Sequence, residues 1–216
     1  RSSDLLLAGR AVATEYSVYG YLFTSTGSDS GCNLPVGNIK VDMWDEDYGP
    51  DDYCGTDYSS PGYGTFQVNF SDSFESPDVY IEVEYKFKGP DNHFVNVQVQ
   101  GSGTNIIDHQ PGGVHNDIPA GSNNLGNINL STNRANIGTQ STKCLWWTKT
   151  TAGSWWSLSS DLLAETAATA GCYCTGNAIY IDQSTCDNAN LFSDVHHETG
   201  HSLHYNARSG SFRSEE

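Results

Sequence analysis

Val79-Tyr80-Ile81-Glu82-Val83-Glu84-Tyr85-Lys86-Phe87 places apolar residues at every second position. Side chains alternate across a strand, so Val79, Ile81, Val83, Tyr85 and Phe87 share one face and Glu82, Glu84 and Lys86 share the other. Such a strand has one buried face and one wet face. The same chemistry recurs outward from it. Residues 38–44 put Ile39, Val41 and Met43 on one side, and residues 94–99 do so with Val95, Val97 and Val99. Residues 15–24, rich in Tyr, Val and Phe, and residues 64–70 read as further strands. Ile106-Ile107 and residues 128–130 read as shorter ones. Turn residues separate these runs at intervals of roughly 8–15, the rhythm of an antiparallel β-sandwich. No helical period is visible before about residue 140, so the expected fold is mainly β.

After Leu130 the texture changes. Residues 133–142 are polar and predict a surface loop. Two Trp pairs follow, Trp146-Trp147 and Trp155-Trp156. Ser160 is placed to cap a helix over 161–168, stopped by Gly171. Residues 178–181 predict a short strand, and residues 191–208 predict a helix stopped by Gly210. Three segments result. Residues 1–13 are an apolar N-terminal extension able to serve as a donated strand. Residues 14–131 form the sandwich, and residues 132–216 form a smaller α+β unit.

Ten Lys and Arg face 26 Asp and Glu, a net charge of −16. That balance argues against nucleic acid and against an anionic membrane surface as partners. No apolar run approaches the roughly 18–20 residues of a membrane span. The six cysteines are Cys32, Cys54, Cys144, Cys172, Cys174 and Cys186. An even count with a single Met and an acidic, Gly/Ser/Thr/Asn-rich chain suits an oxidising extracellular or cell-surface setting and disulfides. Cys32 and Cys54 flank one strand and are expected to pair; the other four leave three connectivities open. Asn69-Phe70-Ser71 and Asn129-Leu130-Ser131 are sequons that make Asn69 and Asn129 candidate glycosylation sites. The chain opens on Arg1 rather than Met, which reads as a processed or excised piece of a precursor.

The sharpest motif is His197-Glu198-Thr199-Gly200-His201, the His-Glu-x-x-His pattern of zinc metallopeptidases. Positions i and i+4 of a helix lie one above the other, so His197 and His201 can reach one Zn²⁺. Glu198 then stands beside the metal, able to take a proton from water and pass it to a leaving amine. With the strand at residues 178–181 ahead of the helix, residues 176–205 resemble the zincin arrangement. That resemblance implies a strand edging a peptide-binding cleft. Gly200 inside the helix suggests close packing. A metzincin would carry Gly at 204 and His at 207, where His204 and Ala207 stand. The third ligand is expected from beyond residue 216, from Glu215 or Glu216, or from His204.

Residues 14–131 carry a second set of landmarks: Val18-Tyr19-Gly20, Pro35, residues 38–47, Gly55-Thr56-Asp57, Gly64-x-Phe66, residues 77–81 and residues 125–130. Together they resemble the transthyretin-like β-sandwich domains of secreted proteins, which implies a binding or accessory module. Within it Asp42, Asp45, Asp47, Asp51 and Asp52 crowd one stretch. They read as a solvated acidic loop or as oxygen ligands for Ca²⁺. The expected function is that of an extracellular zinc metallopeptidase acting on peptide or protein substrates. The alternative is a structural or adhesive glycoprotein that self-associates into filaments through its N-terminal strand, with a relict metal site.

Overall fold

In this computed structural model the described residues are 13–25, 33–73, 76–130, 132–152, 161–167, 172–182 and 191–207. The chain is mainly β with mixed sheets and two long helices. The strands are β1 (Thr14–Ser25), β2 (Asn33–Pro35), β3 (Ile39–Asp45), β4 (Asp52–Tyr58), β5 (Thr65–Asp72), β6 (Val79–Lys88), β7 (Phe94–Val99), β8 (Ile107–His109) and β9 (Gly121–Asn129). Helix α1 (Thr132–Ala152) follows, then β10 (Leu162–Ala167), β11 (Tyr173–Thr175), β12 (Ala178–Asp182) and helix α2 (Leu191–Ala207). No described helix is long and apolar enough to cross a membrane.

One sheet is built on β1, which pairs antiparallel with β2 and β5 and parallel with β9. The other runs β11-β12-β10-β7-β6-β3-β4, with β8 also on β6. Val18 and Leu22 of β1 join Val41 and Met43 of β3 and Val83 and Phe87 of β6 in one apolar cluster. The predicted alternation is what positions them. In β3 every second residue is buried, and Lys40 on the wet face bridges cross-strand to Glu84 at 2.9 Å.

Several expectations are corrected. The sheets are not wholly antiparallel: β9 runs parallel to β1, and β10 runs parallel to β7 and β12. Residues 133–142 are not a loop but the first half of α1. That helix has no apolar stripe to read, since Asn136, Thr139, Gln140, Ser141 and Thr142 are buried alongside Ala135, Ile137 and Leu145. Nor is the helix expected over 161–168 present in the described part, residues 161–167. Leu162–Ala167 is a strand held parallel between β7 and β12, so ladder pairing overrides the helical propensity of its Leu, Ala and Glu. The acidic stretch is not one loop: Asp42 and Asp45 lie in β3 and Asp52 opens β4, so of the five only Asp47 and Asp51 fall between the strands.

The second sheet also spans the division placed near residue 132. β7 pairs with β10, so strands from both sides of it lie in one sheet. Helix α1 lies on β6 and β7, and α2 packs on α1, β11 and β12.

Candidate metal centre

α2 is anchored by its buried face. Val195, Thr199, Ser202 and Asn206 are spaced i, i+4, i+7 and i+11 and are all buried. Thr199 Oγ1 donates to Ser141 Oγ of α1 at 3.4 Å. At the other end Asn206 Nδ2 donates to Asn177 Oδ1 at 2.5 Å, in the turn between β11 and β12. Gly176 of that turn has φ of +65°, and a Cβ there would stand 3.2 Å from the Tyr205 ring. A side chain would meet both strain and the ring, so the turn keeps Gly and the helix lies close on it. Tyr205 therefore packs on this turn.

His197 and His201 lie on the exposed flank of the helix. Their Nε2 atoms stand 2.9 Å apart and the rings meet edge-on at 89°. Two nitrogens bound tetrahedrally to one zinc at about 2.0–2.1 Å each stand about 3.3 Å apart, so the pair is within about half an ångström of that spacing. Glu198 is only 6% exposed. Burial raises its carboxyl above the ordinary value, the neighbouring imidazoles oppose that, and Asp194 adds to it. Cys174 of β11 belongs to the same surroundings. Burial, with the Glu198 charge adding, pushes its thiol up to about 12, and Sγ donates to Gly176 O at 3.4 Å. Nothing in the spacing of Cys172 and Cys174 announces that neighbour; the strand-turn-strand folds it there.

Among the described residues no three His, Cys, Asp or Glu side chains converge as a metal cluster. His204 is exposed and does not join His197 and His201 in one. Glu215 and Glu216 lie outside the described residues. Gly200 does not mark close packing, because a Cβ there would meet nothing within 4 Å. The strand at residues 178–181 is not the sheet edge. β12 sits between β10 and β11, and among the described residues β11 is the edge.

The acidic stretch is divided by the fold. Asp42 is held by Lys40 at 2.8 Å, and Asp51 accepts from the Tyr80 hydroxyl at 2.7 Å. Asp45, Asp47 and Asp52 instead face a pocket of about 590 Å³, where Asp72 of β5 joins them. Asp72 escapes sequence reading because it is 20 residues away and arrives only by tertiary packing. Asp45 Oδ1 accepts the Asp78 N–H at 2.7 Å. Burial holds the Asp45 carboxyl above its ordinary value; the Asp78 N–H opposes this, and the charges of Asp47, Asp72 and Asp78 reinforce it.

Asp45→Asn should therefore stabilise the protein at neutral pH, since Asn keeps the accepting oxygen. An acid that is harder to ionise when folded binds its proton more tightly in the folded state. The penalty is present above the raised pKa and vanishes below the ordinary value of 3.8. Thermal melts across pH should show the variant's advantage widest near neutrality and closing as pH falls toward about 4. An advantage constant with pH would exclude ionisation as its cause.

Asn69 and Asn129 are both exposed on strands. Among the described residues Cys54, Cys144 and Cys174 take part in no disulfide. Cys32 and Cys186 lie outside the described residues, and with them the Cys32–Cys54 pairing and the expected N-terminal donated strand.

No family model and no curated protein matches the chain. One solved structure with partial likeness is a 9R-lipoxygenase from Cyanothece, 14% identical, with a TM-score of 0.32. The likeness covers 65% of this chain, which spans 25% of the length of that one.

Proposed function

We propose that this chain carries the catalytic helix of a secreted zinc-dependent peptidase, and that residues 14–131 are a transthyretin-like sandwich one sheet of which continues into the catalytic half through β10–β12. The observation that carries the reading is the convergence of His197 and His201 Nε2 at 2.9 Å with Glu198 between them in sequence. His197 and His201 would hold the zinc, with the third ligand from outside the described residues. Bound there, zinc would supply Lewis-acid polarisation of a peptide carbonyl and make water easier to deprotonate.

The chain's own residues do the rest. Glu198 accepts a proton from water and returns it to the leaving amine. A buried carboxyl held above its ordinary value suits both roles near neutral pH. Among the described residues β11 pairs on one side with β12 and ends its sheet, so an extended peptide can add to its other side. The acidic composition and the exposed sequon residues Asn69 and Asn129 support an extracellular setting. The acidic pocket leaves Ca²⁺ as a second metal.

A second reading, a structural or adhesive glycoprotein with a relict site, is favoured by one observation: among the described residues no third ligand joins the histidines. Metal and activity measurements separate the two. The protein should bind one zinc per chain and cleave peptides, lose cleavage to a chelator and regain it with zinc. His201→Ala should weaken zinc binding by more than about 100-fold, since even partners one step removed from a metal are worth 10–100-fold. Cleavage that survives both chelation and His201→Ala would remove the peptidase reading.

A further inference from the structure

α2 has a second feature, on the flank turned away from Glu198. A groove of about 570 Å³ runs between the two helices, lined by Lys143, Cys144 and Trp147 of α1 and by His196, Gly200 and Leu203 of α2. His196, Gly200 and Leu203 are spaced i, i+4 and i+7, so they form one stripe, and His197 and His201 belong to the next stripe round the helix. The groove is thus separate from the metal centre.

Two properties identify what it suits. Its apolar wall is unfinished: Trp147 is 67% exposed, an unusual cost for so large an apolar ring. No Asp or Glu is among the described residues that line it, in a chain with 26 of them. Its cation is also uncommitted. Lys40 pairs with Asp42 and Glu84, Arg134 with Asp108, and Lys149 with Asp91. Lys86 and Lys88 stand over the rings of Phe94 and Tyr58. Lys143 is the one Lys or Arg among the described residues with neither an ion-pair nor a ring partner.

We propose that this groove binds a small aromatic carboxylate, its ring against Trp147 and Leu203 and its carboxylate on Lys143 Nζ. Ring burial covers the exposed indole, and the ammonium–carboxylate hydrogen bond is of the charge-assisted kind. Over the described residues the acidic surface otherwise repels an anion, which favours the groove where Lys143 is free.

Calorimetric titration with 2-naphthoate tests it, on the protein with and without chelator. Binding should weaken about tenfold or more in Lys143→Glu, in Lys143→Gln and in Trp147→Ala, each verified as folded by circular dichroism. Chelation should leave the affinity unchanged. Loss of binding on chelation would place the carboxylate on the metal and overturn the proposal. So would wild-type affinity in the Lys143 and Trp147 variants, or no uptake by the wild type at millimolar naphthoate. Failure of the zinc experiments would leave this site untouched.

Discussion

Glu198→Gln should abolish peptide cleavage while leaving zinc binding intact. Gln has the size and shape of Glu but cannot accept the proton of the attacking water. General acid–base catalysis by a positioned side chain is worth about 10²–10⁴ in rate, so kcat/KM should fall by that factor, or about 3–5 kcal/mol in the barrier. The fold should tolerate the change, because Glu198 is buried and its charge is there at a cost. Zinc content should stay at the wild-type level, since His197 and His201 are untouched. Undiminished cleavage in Glu198→Gln would sink the mechanism outright.

Gly138→Ala should destabilise the protein, against the usual gain from removing a helical glycine. In an open helix Gly→Ala stabilises by about 1 kcal/mol. At Gly138 the added Cβ would lie 2.0 Å from Phe87 Cε2 and 2.3 Å from Cδ2. Carbon atoms in contact sit about 3.5–4.0 Å apart, so either the ring or the helix must move. Phe87 is fully buried in the shared core and has no free space to turn into. Overpacking of this kind costs about 1–3 kcal/mol and more where nothing yields. A net loss near 2 kcal/mol corresponds to a fall in Tm of about 4–8 °C for a chain of this size. Gly200→Ala is the internal control. It sits in α2, its Cβ would meet nothing within 4 Å, and it should stabilise by about 1 kcal/mol. Thermal melts of the two variants should move in opposite directions; a Gly138→Ala protein as stable as the wild type would mean that α1 does not lie against Phe87. Because Ser141 of α1 contacts Thr199 of α2, displacing α1 should also weaken zinc binding.

These two glycines illustrate what can be read locally. A glycine in a helical segment is visible in the chain, but the atom its missing side chain would strike belongs to a strand 51 residues earlier. The His197–His201 pair was legible because its members are four residues apart on one helix, where spacing alone sets the geometry. Residues 79–87 were legible for the same reason: a strand that is wet on one face writes its period into the residues. α1 was illegible because it is enclosed on several sides and its buried positions include Asn136, Gln140 and Ser141. The polar residues there face protein rather than water, which erases the amphipathic pattern. β10 was misread because Leu162-Leu163-Ala164-Glu165 prefers a helix in isolation and becomes a strand only between two parallel neighbours.

The chain alone therefore determined the elements whose physics is short-ranged: the alternating strands, the helix carrying His197 and His201, and the acidic balance. Tertiary structure alone decided that one sheet runs from β4 to β11, that Cys174 stands beside Glu198, that Asp72 joins Asp45, and that Lys143 has neither an ion-pair nor a ring partner among the described residues. Each of these depends on groups far apart in sequence. Their meeting is set by burial and ladder pairing across the whole molecule, and no local spacing records it.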